Sequence, residues 1–429
     1  MIKDPQTAEV AAIDYITQSD FCKSRLGLSR MKKLLAELGA PHEKLKYIHV
    51  AGTNGKGSVC AMLAAVLAEA GYKTGLYTSP YINRFNERIQ INGQSIDNFD
   101  LARITRKVQI IAEQMVDHPT EFEMTTAIAL QYYHEWGCDL VVLEVGLGGR
   151  LDATNIIPPP EIAVITPISM DHTAELGNTL EKIASEKGGI IRSGAFVVSS
   201  PQEPGAMSML WKICDDKNAT LEPANTDAVV KVQSDIKGQK FSFKGYKNLE
   251  ISLLGSHQIQ NAVVALTVIE RLQKRGWSIS EEHIRAGLAK TKWQARFEIV
   301  SHEPWFIVDG GHNEQGVSCL LENLSSYFPG RKIIFIIGVM ADKDYKTMLG
   351  KVTPLAKRIF TVTPKNPRAL DAATLAAYFQ DEGMQSVKSC ESVLKGAAEA
   401  LAAAGKADVI CAFGSFYMAG ELRGMFGLK

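Results

Sequence analysis

The residues best suited to chemistry stand in Gly52-Thr53-Asn54-Gly55-Lys56-Gly57-Ser58. A polyphosphate needs converging N–H donors and a cation. Gly52, Gly55 and Gly57 let the main chain turn its N–H groups inward, and a following helix adds the positive end of its dipole. Lys56 would bring charge to the terminal phosphates, and Ser58 a hydroxyl for either the phosphates or Mg2+. The spacing departs from the common GxxxxGK[ST] loop, because the glycines sit closer together and Gly57 stands between Lys56 and Ser58. The competing reading is a glycine-rich strand-to-helix turn with a solvated lysine.

Further donors recur downstream at Ser79, Glu144 and Asp171-His172. Oxygen ligands such as Ser79 and Glu144 suit a hard cation like Mg2+, and a neutral imidazole from His172 can join them. Glu144 ends an apolar run where an uncompensated charge costs several kcal/mol, so it needs either backbone donors or a metal. His172 reads equally well as a helix-cap or loop histidine. The glycine-rich segment 146–155, with Arg150, Asp152 and Asn155, is either a ligand loop or an ordinary connection. Asp309-Gly310-Gly311-His312-Asn313 is either a plain turn or a second polar face across an interdomain cleft from the phosphate loop.

These groups work together only if the chain carries them to one place. An apolar run, 47–51, enters the phosphate loop and a helix-forming run, 59–70, leaves it. Residues 74–78, 140–145, 162–166 and 195–199 read as strands, and the continuous apolar runs 140–145 and 162–166 suit parallel strands covered on both faces. Helical runs at 98–116, 123–136, 180–187, 205–217 and 261–274 alternate with them. This alternation predicts a doubly wound α/β domain, with Lys56, Ser79, Glu144 and His172 at or just past the C-terminal ends of strands, where such sheets bind ligands. Ahead of it, 5–38 reads as two amphipathic helices joined by a loop at 21–29, and 221–254 as a small antiparallel appendage. Near 293–298 the pattern restarts, with strands at 305–309, 332–339, 358–362 and 408–413 and helices at 320–327 and 394–404. We therefore expect a large domain over 1–296 and a smaller α/β domain over 297–429.

With 429 residues, 46% hydrophobic, the chain can bury two large cores. Forty-seven basic and 47 acidic residues cancel, so there is no global field to hold nucleic acid or an anionic membrane. The seven cysteines, Cys22 among them, form no CxxC pair and read as reduced core residues. No window reaches transmembrane length and the N-terminus has no apolar signal core, so a cytoplasmic protein is expected.

Nine segments, taken in order, carry a family resemblance: AGTNGKGS at 51–58, TSPYINRFNERI at 78–89, LEVGLGGRLDATN at 143–155, ISMDH at 168–172, EKGGII at 186–191, SHQIQNA at 256–262, RFE at 296–298, DGGHN at 309–313 and GSFYMAGE at 414–421. Together they make the chain similar to bacterial folylpolyglutamate synthases, a family that includes bifunctional dihydrofolate synthases and belongs to the Mur-ligase-like amide-forming enzymes. The resemblance implies a large P-loop-type ATP-binding domain and a Rossmann-like C-terminal glutamate-ligase domain. It implies ATP and Mg2+ at two sites, and admits K+. Thr53, Asn54, Gly55, Lys56, Gly57 and Ser58 would hold the ATP phosphates, and Asn261, Arg296 and Asp309 would contact the nucleotide. Ser79, Glu144 and His172 would ligate Mg2+. Lys187 matches a lysine that is carbamylated in the family, an anion able to hold a second Mg2+; the residues alone place it on a solvated helix end. Lys56, Lys187, Arg296 and His312 would act in catalysis. Gly27, Ser29, Arg30, Phe122, Thr125, Asp152 and Ala153 resemble segments lining the pteridine-bearing substrate, and Ser415 and Tyr417 a motif that places glutamate. The usual Asp-Gly-Ala-His-Asn-Pro is altered here to Gly311 and Glu314, and loss of the proline is expected to loosen the loop after His312.

The implied reaction is ATP-dependent addition of L-glutamate to the γ-carboxylate of a reduced folate through an acyl phosphate, with dihydropteroate as a second acceptor left open. The expected enzyme is a monomer acting on small molecules, without nucleic acid or membrane. Two rivals are another Mur-type amino-acid ligase and a nucleotide-dependent ATPase switch; the switch lacks an NKxD element and a clear trans-acting arginine.

Overall fold

The computed structural model describes residues 5–18 and 25–428. Part of the predicted 21–29 loop, with Cys22, lies outside the described residues. The largest sheet comprises β1 (Tyr47–Ala51), β2 (Thr74–Tyr77), β3 (Ile89–Ile91), β4 (Gln94–Ser95), β5 (Leu140–Glu144), β6 (Ile162–Ile165), β7 (Phe196–Ser199) and β8 (Thr220–Pro223), in spatial order β4-β3-β2-β5-β1-β6-β7-β8. Six of these strands run parallel, and β3 and β4 return antiparallel at one edge. β1, β5 and β6 are buried along their whole length, as continuous apolar strands must be when helices cover both faces. Ile48 and Val50 pack with helices Lys56–Glu69 and Ser256–Lys274 on one face, while Tyr47, Val141 and Leu143 meet helix Glu121–Glu135 on the other. Because β1 lies between β5 and β6, the chain order reverses beside it, and that switch point opens a crevice at the strands' C-terminal ends.

A three-stranded antiparallel sheet follows: β9 (Val229–Asp235), β10 (Gly238–Phe243) and β11 (Tyr246–Ile251). Its Phe241, Phe243, Leu249 and Ile251 enter the large core. The start of the stretch read as an appendage belongs elsewhere, since β8 pairs in parallel with β7. The third sheet holds β12 (Glu298–His302), β13 (Trp305–Val308), β14 (Ile333–Ile337), β15 (Ala356–Thr361), β16 (Val387–Ser389) and β17 (Val409–Phe413), in order β12-β13-β17-β14-β15-β16. All its pairings are parallel except β12 with β13. Phe335, Ile337 and Phe413 fill the core on one side; Ile334, Ile336 and Ala412 fill it on the other. The edge strands β12 and β16 escape sequence patterning because they are short and partly exposed, with no continuous apolar run. Cys60, Cys138, Cys214, Cys390 and Cys411 are buried thiols. Among the described residues no helix is long and apolar enough to cross a membrane.

Helix Glu281–Lys290, which no sequence pattern marked, lies against helix Lys56–Glu69. The approach is so close that a Cβ on Gly287 would stand 2.5 Å from Val66 Cα. This contact braces the helix that begins at Lys56. Gly287→Ala should therefore lower stability by about 1–3 kcal/mol through overpacking, read as a reduced denaturant midpoint. Gly245→Ala, which meets nothing within 4 Å, should stay within about 0.5 kcal/mol of the parent. Equal midpoints for the two variants would show that the helices separate freely.

Candidate active site

Past Ala51 the chain turns through Gly52, at φ +145°, where a Cβ would lie 1.9 Å from Thr166 Oγ1. No larger residue fits. Thr53 N donates to Pro167 O at 2.8 Å, tying the loop to the segment after β6. Gly55, at φ +85°, caps the 14-residue helix Lys56–Glu69, whose first-turn N–H groups have no intrahelical acceptor. Lys56 Nζ donates to Gly52 O and Thr53 O, both at 3.2 Å, so its charge lies folded over the loop. Ser58 Oγ is buried without a hydrogen-bond partner.

Ser79 N donates to Glu144 Oε2 at 3.1 Å. Burial pushes the Glu144 carboxyl up, against the pull of Lys56, the Ser79 N–H and Arg296. His172 sits at φ +51°, and burial, then the Lys343 charge, lowers its imidazole to about 4, which leaves it neutral with a lone pair to give. Among the described residues no three His, Cys, Asp or Glu gather as a ready metal cluster. Lys187 departs from the solvated helix end that its sequence suggests. It is 5% exposed, and its Nζ donates to Gly52 O at 2.8 Å. The 146–150 loop also crosses the end of helix Leu180–Lys187, so closely that a Cβ on Gly149 would be 2.8 Å from Lys187 O. Burial, then Lys56, brings the Lys187 ammonium down to about 7.

In the smaller lobe, Asp309 follows β13 and accepts from Phe297 N and Gly311 N, each at 2.7 Å. The Arg296 guanidinium stands 4.4 Å above the Phe416 ring. Burial lowers Arg296, which Asp309 and Glu144 partly offset. His312 Nδ1 lies 2.8 Å from Gly310 O, which fixes the ring. The loop after it is not loosened by the missing proline. Asn313 caps helix Glu314–Tyr327, its side chain accepting from Gly316 N at 2.9 Å, so Glu314 is already the first helical residue.

The lobes meet through polar side chains. Asn54 Nδ2 donates to Gln315 Oε1 at 2.6 Å and to Asn313 Oδ1 at 3.2 Å, and Asn313 Nδ2 donates back to Asn54 Oδ1 at 3.0 Å. Asn313 Nδ2 also donates to Asp171 Oδ2 at 3.1 Å, Lys343 pairs with Asp171 Oδ1, and His312 Nε2 lies 3.6 Å from Asp171 Oδ2. Burial would raise the Asp171 carboxyl, yet His312 and Lys343 hold it well below the usual range. Asp171 stands where the sequence placed it, just past β6 beside His172, whereas Lys343, Gln315 and Phe416 were not among the sequence candidates. The signal that could have found Lys343 and Phe416 is their place just beyond β14 and β17.

One cleft gathers Thr53, Asn54, Gly55, Lys56, Gly57, Ser58, Ser79, Glu144, His172, Lys187, Asn261, Arg296, Asp309 and His312. Gly27, Phe122, Asp152, Ala153, Ser415 and Tyr417 line it too. Ser29, Arg30 and Thr125, expected to line it, do not. Ser29 opens helix Ser29–Glu37, the Arg30 guanidinium is spent on Glu123 at 2.8 Å and Asp117 at 3.1 Å, and the Thr125 hydroxyl donates to Glu121 O at 2.7 Å.

Comparison with known proteins shows the family. The family model of the Mur ligase middle domain matches residues 50–269, and that of the Mur ligase glutamate ligase domain matches 295–416. The dihydrofolate synthase/folylpolyglutamate synthase of Bacillus subtilis is 39% identical over 354 residues, 80% of this chain and 82% of that one. Its Escherichia coli counterpart is 32% identical over 418 residues, 97% of this chain and 95% of that one. The Mycobacterium tuberculosis folylpolyglutamate synthase solved with ADP superposes with a TM-score of 0.92 at 29% identity, over 99% of this chain and all of that one (100%). Escherichia coli FolC solved with DHPP and ADP gives 0.86 at 30% identity, over 98% and 97% of the two chains. The chain therefore belongs to the Mur ligases and, within them, to the dihydrofolate synthase/folylpolyglutamate synthase family.

Proposed function

We propose that the chain is an ATP-dependent ligase that joins L-glutamate to the γ-carboxylate of a reduced folate. The observation that carries this is the phosphate-type loop at Lys56 set across one cleft from the Asp309–His312 turn, with Asn54 bonded to Asn313 between them. Relatives solved with ADP, AMPPCP and DHPP support a nucleotide beside a second small substrate. The folate carboxylate attacks the γ-phosphate of ATP, giving an acyl phosphate and ADP; the amine of glutamate then attacks the acyl carbon and phosphate leaves. Both steps concentrate negative charge, so catalysis rests on positioning and electrostatics. Lys56 and Arg296 face that charge, Thr53 to Ser58 hold the phosphates, and Asn261 and Asp309 hold the nucleotide. His312, its Nδ1 2.8 Å from Gly310 O and its Nε2 3.6 Å from Asp171 Oδ2, would orient groups or move a proton as the amine attacks.

The residues fit a divalent cation: Ser58 Oγ is an orphaned buried oxygen donor, and Glu144 is a buried carboxylate whose side-chain hydrogen bond comes from a backbone N–H. Ser79, Glu144 and His172 would hold one ion, and Lys187 a second as its carbamate. Bound there, the cations would neutralise phosphate oxygens. An amine titrating at about 7 has the free base that carbamylation by carbon dioxide consumes. Gly27, Phe122, Asp152 and Ala153 would meet the pteridine side, with the buried Arg30 and Thr125 supporting them, and Ser415 and Tyr417 would place glutamate. The lobes 1–296 and 297–429 would close about 294–299, where Ala295 and Phe297 hold left-handed backbone on either side of Arg296, excluding the water that hydrolyses acyl phosphates. We read the enzyme as a cytoplasmic monomer. Relatives named for both activities favour dihydropteroate as a second acceptor.

Phosphate release is expected only when ATP, L-glutamate and a reduced monoglutamyl folate are present together, and dihydropteroate in place of the folate tests the second activity. Release without either acceptor would point to a switch ATPase instead. Lys56→Ala and Glu144→Ala should each cut kcat by at least about 100-fold while circular dichroism stays that of the parent; near-parent turnover in either would remove its assigned role. With ¹³C-bicarbonate, NMR should show one carbamate carbon that vanishes in Lys187→Arg, and a signal that survives the substitution would assign it elsewhere.

A further inference from the structure

One buried histidine has no part in the reaction described above. His49 lies in β1, wholly out of solvent, and its Nε2 is 2.9 Å from Thr154 Oγ1. Thr154 Oγ1 in turn is 2.5 Å from Asp152 Oδ1. Thr154 N donates to the same oxygen at 3.0 Å, and Leu147 N donates to Asp152 Oδ2 at 2.9 Å. Asp152 lines the cleft; Thr154 and His49 stand in sequence behind it.

The direction of this chain follows from counting protons. Burial raises the Asp152 carboxyl, against the pull of the Thr154 hydroxyl and of the Leu147, Thr154 and Gly146 N–H groups. Backbone N–H groups can only donate, and donors on both oxygens favour the carboxylate. A threonine hydroxyl has one proton, and here it goes to Asp152. The Thr154 oxygen can then only accept from His49, so Nε2 must carry the ring proton. That leaves Nδ1 bare, in agreement with its having no hydrogen-bond partner in its buried place. Burial, then the Arg192 charge, lowers the ring to about 3, so it remains neutral and serves as a fixed single donor.

We propose that His49 is a positioning residue for the pteridine-bearing substrate, orienting the Asp152 carboxylate through Thr154 so that the lone pair left on Oδ2 meets an N–H donor of the heterocycle. This rests on the reading that Asp152 faces that substrate. Its physical appeal is economy of parts: β1 ends in the phosphate loop and also carries His49, so one buried strand sets both the nucleotide loop and the acceptor that reads the second substrate.

Steady-state kinetics on the full chain test this. His49→Phe fills the volume without a donor, and should raise KM for the reduced folate about ten-fold, the worth of one hydrogen bond, with KM for ATP and glutamate changed less than about two-fold. His49→Gln keeps an N–H and should return the folate KM to within about three-fold of the parent. An unchanged folate KM in His49→Phe, or an equal rise for ATP, overturns the proposal. Asp152→Asn separates the two readings. If it leaves the folate KM at the parent value, the placement of Asp152 fails; if it raises that KM while His49→Phe does not, only the role of His49 falls. Should His49→Phe not fold, ¹⁵N NMR of histidine-labelled parent protein, with the resonance identified by its loss in His49→Gln, should show a neutral Nε2–H ring, and an Nδ1–H or charged ring would refute the relay.

Discussion

Charge taken out of water at the ends of β1 and β5 is the constraint on which the rest of the molecule depends. Glu144 and Lys187 are both buried, and each loses several kcal/mol of hydration. They do not pair with one another: Glu144 accepts from Ser79 N, and Lys187 donates to Gly52 O. The sheet bears the cost, since β5 is buried throughout and cannot move to let solvent in. What remains unsatisfied is oxygen-donor capacity at Glu144 and Ser58, and that is what a polyanion with its cations would use. Burial pushes His172 and Lys187 toward their neutral forms, while His312 and Lys343 hold Asp171 ionised against it. Such separation of titrating groups marks sites that handle charge.

Closure of the cleft has a different physical basis. The amides of Asn54, Asn313 and Gln315 are neutral, so their contacts add geometry more than Coulomb energy. Asp171 adds the charged part, since it answers Lys343 and lies near His312 from the other lobe. A lobe displaced by an ångström would lose several of these bonds at once. Between the lobes, Ala295 and Phe297 hold positive φ, a conformation costing of order 1 kcal/mol each for residues with a Cβ. Asp309 and Glu298 hold this strained turn by accepting from Phe297 N and Ala295 N. Arg296, between the two strained residues, is thereby carried to the cleft.

Much of this was legible without coordinates. Continuous apolar runs marked β5 and β6 because burial on both faces leaves no room for alternation, and glycine spacing marked the phosphate loop because only glycine permits that backbone. Placement at strand ends then brought Lys56, Ser79, Glu144 and His172 together. Lys187 was misplaced because its buried ammonium is held by Gly52 O, 135 residues away in the chain, and the period of its own helix says nothing of that contact. Arg30 and Thr125 likewise looked available, yet Arg30 is taken by Glu123, 93 residues distant, and Thr125 by its own helix backbone.

Residue types and their neighbours thus determined the chemistry on offer: a phosphate loop, hard donors, an acid–histidine turn and two α/β units. Which of those groups share a cleft, which are desolvated enough to titrate near neutrality, and which are already spent on a partner was decided only by tertiary structure. The pairing of Asp171 with Lys343 across 172 residues shows why. Local preference depends on adjacent side chains, whereas such a contact depends on strand order and the crossing of lobes, to which no short window of sequence has access.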